Sequence, residues 1–267
     1  KGRGAIPAFL TCISVAVCDK ISKTPERNMY HMKPFIADCH THTILSGHAF
    51  GTIRELAAEA AARKLKILGV TEHGPGIPGT CDPIYFRNFV DAPRNLYGVE
   101  MLYGSETNVL NSGEVDLDER HLSMLDYAIA GIHGLCYEDV GIVKNTDNVI
   151  SCMQHHKVKF ISHPDADTHP MDYKALVEGA KEYGCALELN NSSLRKPKLR
   201  PGCVDNYKVM LPLCMEYGVP VIVNTDAHDP SQVGDFSLAR AFLEDIGFDE
   251  NLILNNDADK LKAFLLG

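Results

Sequence analysis

Asp38-Cys39-His40-Thr41-His42-Thr43 follows a short apolar run, Phe35-Ile36-Ala37, and His48 comes six residues after His42. An apolar run that ends in histidines reads as a buried strand delivering its last side chains to a site. Side chains alternate along a strand, so Asp38, His40 and His42 are expected on one face, with Cys39 and Thr41 on the other. Two imidazoles two residues apart can grip one divalent ion, and the same pair can equally decorate a surface. The remainder of the chain decides between these readings.

Working outward, Thr52 and Glu55 make a capping box, and Ile53, Leu56, Ala57 and Ala60 continue at helical spacing. The apolar run 67–70 then leads into Thr71-Glu72-His73, and 74–83 is a Gly- and Pro-rich loop. A helix is expected within 85–96, bent or ended by Pro93. The run 101–104 enters Ser105-Glu106, with a turn at 111–113 and a short returning strand at 114–117. Further strands are expected at 127–132, 160–164, 186–190 and 219–224, with helices at 146–154, 173–183, 204–217, 236–246 and 257–266. The sequence thus alternates β and α about seven times, with continuously apolar strands of the kind buried on both faces of a parallel sheet. A closed or nearly closed α/β barrel is the leading architecture and an open doubly wound sheet the second.

The composition, 45% hydrophobic and 23% charged over 267 residues, supports one large domain. A net charge of −9 argues against extended nucleic-acid or anionic-membrane contact. Nine cysteines without a Cys-x-x-Cys pair argue against a disulfide framework or zinc ribbon, and for reduced thiols in a cytoplasm. Residues 1–33 carry Lys1 and Arg3 ahead of an apolar run ending near Val17, too short to span a bilayer. They are read as an extension separate from a catalytic domain at 34–267, in preference to a secretory leader.

The strand ends carry the chemistry. They present His40 and His42, His73, Glu106, His133, His163, and then Asp226 and His228. In α/β barrels the carboxyl ends of the strands converge on one face. A lone histidine there is commonly structural, but ligand-type residues at nearly every strand end imply a metal centre. With His48 there are seven imidazoles and two carboxylates, an excess for one ion that takes about four protein ligands. Two or three ions fit better, and the imidazole content favours zinc, manganese or iron over calcium or magnesium.

Asp38-Cys39-His40-Thr41-His42-Thr43, Thr71-Glu72-His73, Gly104-Ser105-Glu106, Ser162-His163-Pro164 and Asn224-Thr225-Asp226-Ala227-His228 together resemble the motifs of the PHP (polymerase and histidinol phosphatase) superfamily. Ala130-Gly131-Ile132-His133 and Glu188-Leu189-Asn190-Asn191-Ser192-Ser193 resemble its YcdX-type phosphatase branch, whereas Gly134-Leu135-Cys136-Tyr137 departs from it. The resemblance implies a distorted (β/α)7 barrel with three divalent ions, zinc first. It implies one ion on His40, His42, Glu106 and Asp226, and a second on His133, His163 and a shared Glu106. The third would be held by His48, His73 and His228.

Adjacent cations suit phosphate-ester hydrolysis, because they activate water and stabilise charge on the attacking and leaving oxygens. The expected activity is a phosphomonoesterase on a small phosphorylated metabolite, histidinol phosphate included, with Glu106 and Asp226 as the central carboxylates. A nuclease or phosphodiesterase is the second reading and a non-catalytic metal module the third; a homo-oligomer is compatible with all three. Arg195 is the candidate phosphate handle, set against its being part of a basic surface loop, Arg195-Lys196-Pro197-Lys198. Asp38 and Asp165 are candidate partners for ligating imidazoles, or else caps of a helix or turn. Glu72 is expected to be structural, and His155, His156 and His169 to lie on the surface.

Overall fold

The computed structural model describes residues 32–267, so the reading of residues 1–33 falls almost wholly outside the described residues. Eight strands form one sheet: Ala37–Asp38 (β1), Ile67–His73 (β2), Asn95–Leu96 (β3), Val99–Asn108 (β4), Tyr127–Gly131 (β5), Val158–Ile161 (β6), Ala186–Asn190 (β7) and Val221–Asn224 (β8). Their order is β1-β2-β4-β5-β6-β7-β8, all parallel, with β3 a short antiparallel addition to β4. The distorted seven-stranded barrel expected from the sequence is the fold.

The seam between β1 and β8 is not an ordinary ladder. Its backbone pairing is one isolated parallel bridge, Thr41 to Ala227, and side chains complete it, among them Asn224, which accepts from Cys39 N (2.8 Å), and Asn255, inserted lower down. Asn255 Nδ2 donates to Ala37 O (3.0 Å) and Val223 O (2.8 Å), while its Oδ1 accepts from Val223 N (2.6 Å). A buried side-chain amide thereby satisfies backbone groups that a neighbouring strand would otherwise pair.

Two apolar layers hold the barrel. Inside it, Ala37, Cys39, Ile67, Leu102, Tyr127, Ile129, Phe160 and Ile222 pack together with Leu261 and Leu265 of the last helix, Ala258–Leu266. Outside, the opposite strand faces meet the helices Ile53–Ala62, Ile142–Met153, Tyr173–Tyr183, Cys203–Tyr217 and Ser237–Ile246. The capping box at Thr52 and Glu55 is present, Gly184 ends its helix in the left-handed region, and Pro212 is accommodated inside a helix.

Three local expectations change. The helix expected in 85–96 is only Ile84–Arg87 and a 3-10 turn, because the chain must return at Asn95–Leu96 to pair β4. The returning strand at 114–117 reduces to one bridge, Val109 to Val115. A short helix, Asn191–Arg195, follows β7 directly, its start capped by the Asn190 side chain on Ser193 N.

Candidate metal centre

All nine ligand-type residues meet at the carboxyl ends of the strands. The tightest group joins both sides of the seam. His40 Nε2 lies 3.1 Å from His42 Nε2, 3.2 Å from Glu106 Oε2 and 3.7 Å from Asp226 Oδ1. His42 Nε2 lies 3.4 Å from the same oxygens of both Glu106 and Asp226. Donor atoms about 2.0–2.1 Å from a tetrahedral zinc are separated from one another by about 3.3–3.4 Å, so these four atoms have the spacing of a ligand set. Two imidazole nitrogens and two carboxylate oxygens converging on one point, each with a lone pair to offer, make a ligand set. The residues fit a divalent ion.

Glu106 divides its two oxygens. Oε2 belongs to the group just described, while Oε1 faces His163 Nε2 (2.8 Å) and His133 Nε2 (3.4 Å) and accepts from Ser162 Oγ (2.8 Å). Glu106 Oε2 and His73 Nδ1 stand 3.0 Å apart without hydrogen-bond alignment, and neither buried atom has a hydrogen-bond partner among the described residues. Buried polar atoms left this way call for a ligand. The His48 and His228 Nε2 atoms are 3.0 Å apart, and the His48 and His73 rings stack at 5.0 Å. His73 therefore stands between the second and third expected groups, within reach of either.

The far nitrogen of several rings is fixed by a partner. His40 Nδ1 donates to Glu188 Oε1 (2.8 Å), His133 Nδ1 to Asn108 Oδ1 (2.7 Å) and His228 Nδ1 to Asp226 O (3.0 Å). His42 Nδ1 donates to Ser46 Oγ (2.9 Å), whose hydroxyl in turn donates to Glu72 Oε2 (2.5 Å). A proton held on Nδ1 leaves the Nε2 lone pair free for a metal. Glu72 also accepts from Thr43 N and Oγ1, so it is structural as expected and acts on His42 through Ser46.

Charge follows from this crowding. Burial works against ionised Glu106, but His40 and His133 outweigh it and hold the carboxyl well below its ordinary range. Burial likewise disfavours a charged His42, yet Asp226 and Glu106 raise it to about 9. Burial, reinforced by His42, pushes His73 down to about 3. The backbone is strained at the same place: His163 (φ 31°) and Asp226 (φ 50°) are two of only four non-glycine residues with positive φ among the described residues. At Gly47 (φ 83°) a Cβ would fall 2.4 Å from Gly79 O, so glycine alone lets the His48 loop close on its neighbour.

Other expected partners lie elsewhere. Asp38 does not touch an imidazole, because regular strand pairing stops there; it accepts from Thr225 N and Oγ1 and Gly234 N, tying β1 to the loop after β8. Asp165 is also no imidazole partner: it accepts from Arg200 Nε (2.8 Å) and Tyr207 OH (2.5 Å). Arg195 donates to Gln232 Oε1 (3.0 Å) and does not line the cavity over the ligands. That cavity, about 220 Å³, is faced by Ser192, Ser193, Lys196 and Arg200 opposite the histidines. His155 pairs with Glu119, and His169 packs beside Tyr137.

Sequence reasoning missed Glu188, Ser46 and Arg200. Glu188 is fully buried, accepting from His40 Nδ1, His163 N, Asn190 Nδ2 and Asn224 Nδ2. Its signal was available: a carboxylate inside the apolar strand Ala186-Leu187-Glu188-Leu189 is costly unless it is fully paired.

Comparison with known proteins agrees with this geometry. The PHP domain family model matches residues 38–192. A probable phosphatase of Clostridium acetobutylicum is 38% identical over 232 residues, covering 86% of this chain and 94% of its own length. One from Caldanaerobacter subterraneus subsp. tengcongensis is 40% identical, covering 86% and 91%. The chain belongs to the PHP domain family. Among solved structures, histidinol phosphate phosphatase of Lactococcus lactis, complexed with zinc, L-histidinol and phosphate, superposes with a TM-score of 0.58 at 16% identity, covering 80% of this chain and 95% of that one. At that identity the likeness is one of fold.

Proposed function

We propose that this chain is a metal-dependent phosphomonoesterase acting on a small phosphorylated molecule through three divalent ions, zinc first. The observation that carries the reading is Glu106, whose oxygens address two separate groups of ligand atoms at once. His40, His42, Glu106 and Asp226 would hold one ion, His133 and His163 with Glu106 a second, and His48, His73 and His228 a third. When bound, such ions supply Lewis-acid polarisation of phosphoryl oxygens and a water acidified toward neutrality. The names of the curated relatives point to the same activity.

The chain's own residues add position and charge. Arg200 is oriented by Asp165 through Nε and Nη2, and a second bond from Nη2 reaches His163 O. Its remaining Nη1 edge can meet a phosphoryl oxygen in the cavity, with Ser192 and Ser193 as neutral donors. On this geometry Arg200 replaces Arg195 as the nearer phosphate handle, and Arg195 would act only through Gln232.

The test compares 4-nitrophenyl phosphate with bis(4-nitrophenyl) phosphate on protein of measured metal content, with histidinol phosphate in the monoester panel. Monoester turnover that disappears in Glu106→Gln together with bound metal supports the proposal. Diester turnover alone would indicate a phosphodiesterase. Turnover of neither by fully loaded protein would leave a metal-binding module.

A further inference from the structure

A second cavity, about 490 Å³, adjoins the first and shares three of its residues, His48, Lys196 and His228. Its other walls are Phe50, Asp229 and Gln232. None of these last three belongs to the ligand set, and nothing in the chemistry proposed above needs a space of this size. His48 and His228 line both cavities, so a phosphate seated in the first has the second at its side.

The walls are fixed and chemically distinct. Phe50 N donates to His228 O (2.8 Å) and Ile44 N to Gly51 O (2.8 Å), so the loop carrying His48 and Phe50 is clamped to the end of β8. On that clamped loop the Phe50 side chain is nevertheless 77% exposed. An exposed aromatic ring on a fixed backbone beside a reactive centre is a ready stacking surface.

Gln232 is oriented just as firmly. Its Oε1 accepts from Arg195 Nη2 (3.0 Å) and His228 N (3.3 Å), which leaves the amide nitrogen as the group it offers. Asp229 is occupied by the backbone N–H and hydroxyl of Ser231 (3.0 and 2.5 Å). Lys196 forms no ion pair among the described residues, whereas Arg200 is already paired with Asp165. Among the described residues, Lys196 is thus the one unpaired cation on the shared wall, with the Asp229 carboxylate, turned to Ser231, on the wall of the second cavity alone.

We infer that the second cavity is a leaving-group subsite selecting phosphate monoesters whose leaving group carries a planar ring and a second anionic group. The inference rests on the phosphomonoesterase reading. Phe50 takes the face of the ring, Lys196 the second anion, and the Gln232 amide a polar atom of the ring or its substituent. Hydrolysis is unchanged in its balance: water adds to phosphorus, the ester P–O bond breaks, and the leaving oxygen departs with a proton.

The test uses ratios within each zinc-loaded variant, so that any misfolded fraction and the intrinsic reactivity of each ester cancel. Phe50→Ala should lower the ratio of kcat/KM for phenyl phosphate over glycerol 2-phosphate about fivefold, the size of one aromatic stacking contact. Lys196→Ala should lower the ratio for 4-carboxyphenyl phosphate over phenyl phosphate about threefold. Unchanged ratios in both variants overturn the subsite.

A binding experiment separates this failure from failure of the phosphatase reading. If no ester is hydrolysed, calorimetric titration with phenylphosphonate and methylphosphonate still reads the subsite. A preference for phenylphosphonate that is lost in Phe50→Ala supports it, and equal affinity of the two overturns it.

Discussion

Asp116 and His133 are joined through Asn108 alone. Asp116 Oδ1 accepts from Asn108 N (2.8 Å), and its Oδ2 takes the Asn108 side-chain amide and Gly76 N (2.7 Å). With its NH2 committed to a carboxylate, Asn108 can present only its oxygen to His133 Nδ1, 2.7 Å away. A carboxylate two residues removed from the centre thereby decides which nitrogen of His133 faces Glu106.

Asp116→Ala frees the Asn108 amide to turn, so His133 no longer has a fixed tautomer. Loss of such an outer partner typically weakens a metal site about 10–100-fold. Chelator-competition titration should find one ion weakened by that factor while the others keep wild-type affinity. Uniform affinity for all ions in the variant would reject the relay.

Arg200→Lys keeps the charge opposite buried Asp165 but loses the fork that reaches both Asp165 and the cavity. KM for 4-nitrophenyl phosphate should rise about tenfold, the cost of one charge-assisted contact, with the melting temperature nearly unchanged. Arg200→Ala instead leaves Asp165 buried without its cation and should destabilise by about 3 kcal/mol in denaturant titration. A rise in KM as large in Arg195→Ala would restore Arg195 as the handle.

Stability of the metal-free protein should depend on pH in a defined sense. His42 is raised from its ordinary 6.5 to about 9, so its contribution is complete below 6.5 and is lost as pH climbs through 9. His73 is lowered from 6.5 to about 3, so its contribution is present above 6.5 and lost as pH falls toward 3. Melting temperature in chelator should therefore peak near the ordinary imidazole value. Zinc replaces the His42 proton and should abolish the alkaline decline. A flat chelator profile between 6.5 and 9 would contradict this assignment.

The barrel and the meeting of nine ligand-type residues at one end of it were legible because each rests on local pattern. Apolar runs such as 67–70 and 186–189 announce buried strands, and a ligand residue at the end of each announces a shared face. What was not legible depends on where a chain turns next. Arg195 and Arg200 lie five residues apart on one basic segment, yet the Asn191–Arg195 helix sends the first toward Gln232 while the following turn brings the second back to Asp165. Asp38 has the right spacing for an imidazole partner, but pairing ends at that residue and period-two alternation ends with it. Ser46 and Asn108 are hydrogen-bonding residues of ordinary type, and only the folded chain sets them behind His42 and His133.

The Asn255 seam has a mechanical consequence. Six neighbouring strand pairs are laced by parallel backbone ladders, but the seventh junction, β1 with β8, has one backbone bridge and the side chains of Asn255, Asn224 and Asp38. The ligand group of His40, His42 and Asp226 straddles that junction. An ion seated there would be the clasp of the ring: loading it would fasten the first strand to the last, and removing it would leave the barrel buttoned by a few side chains.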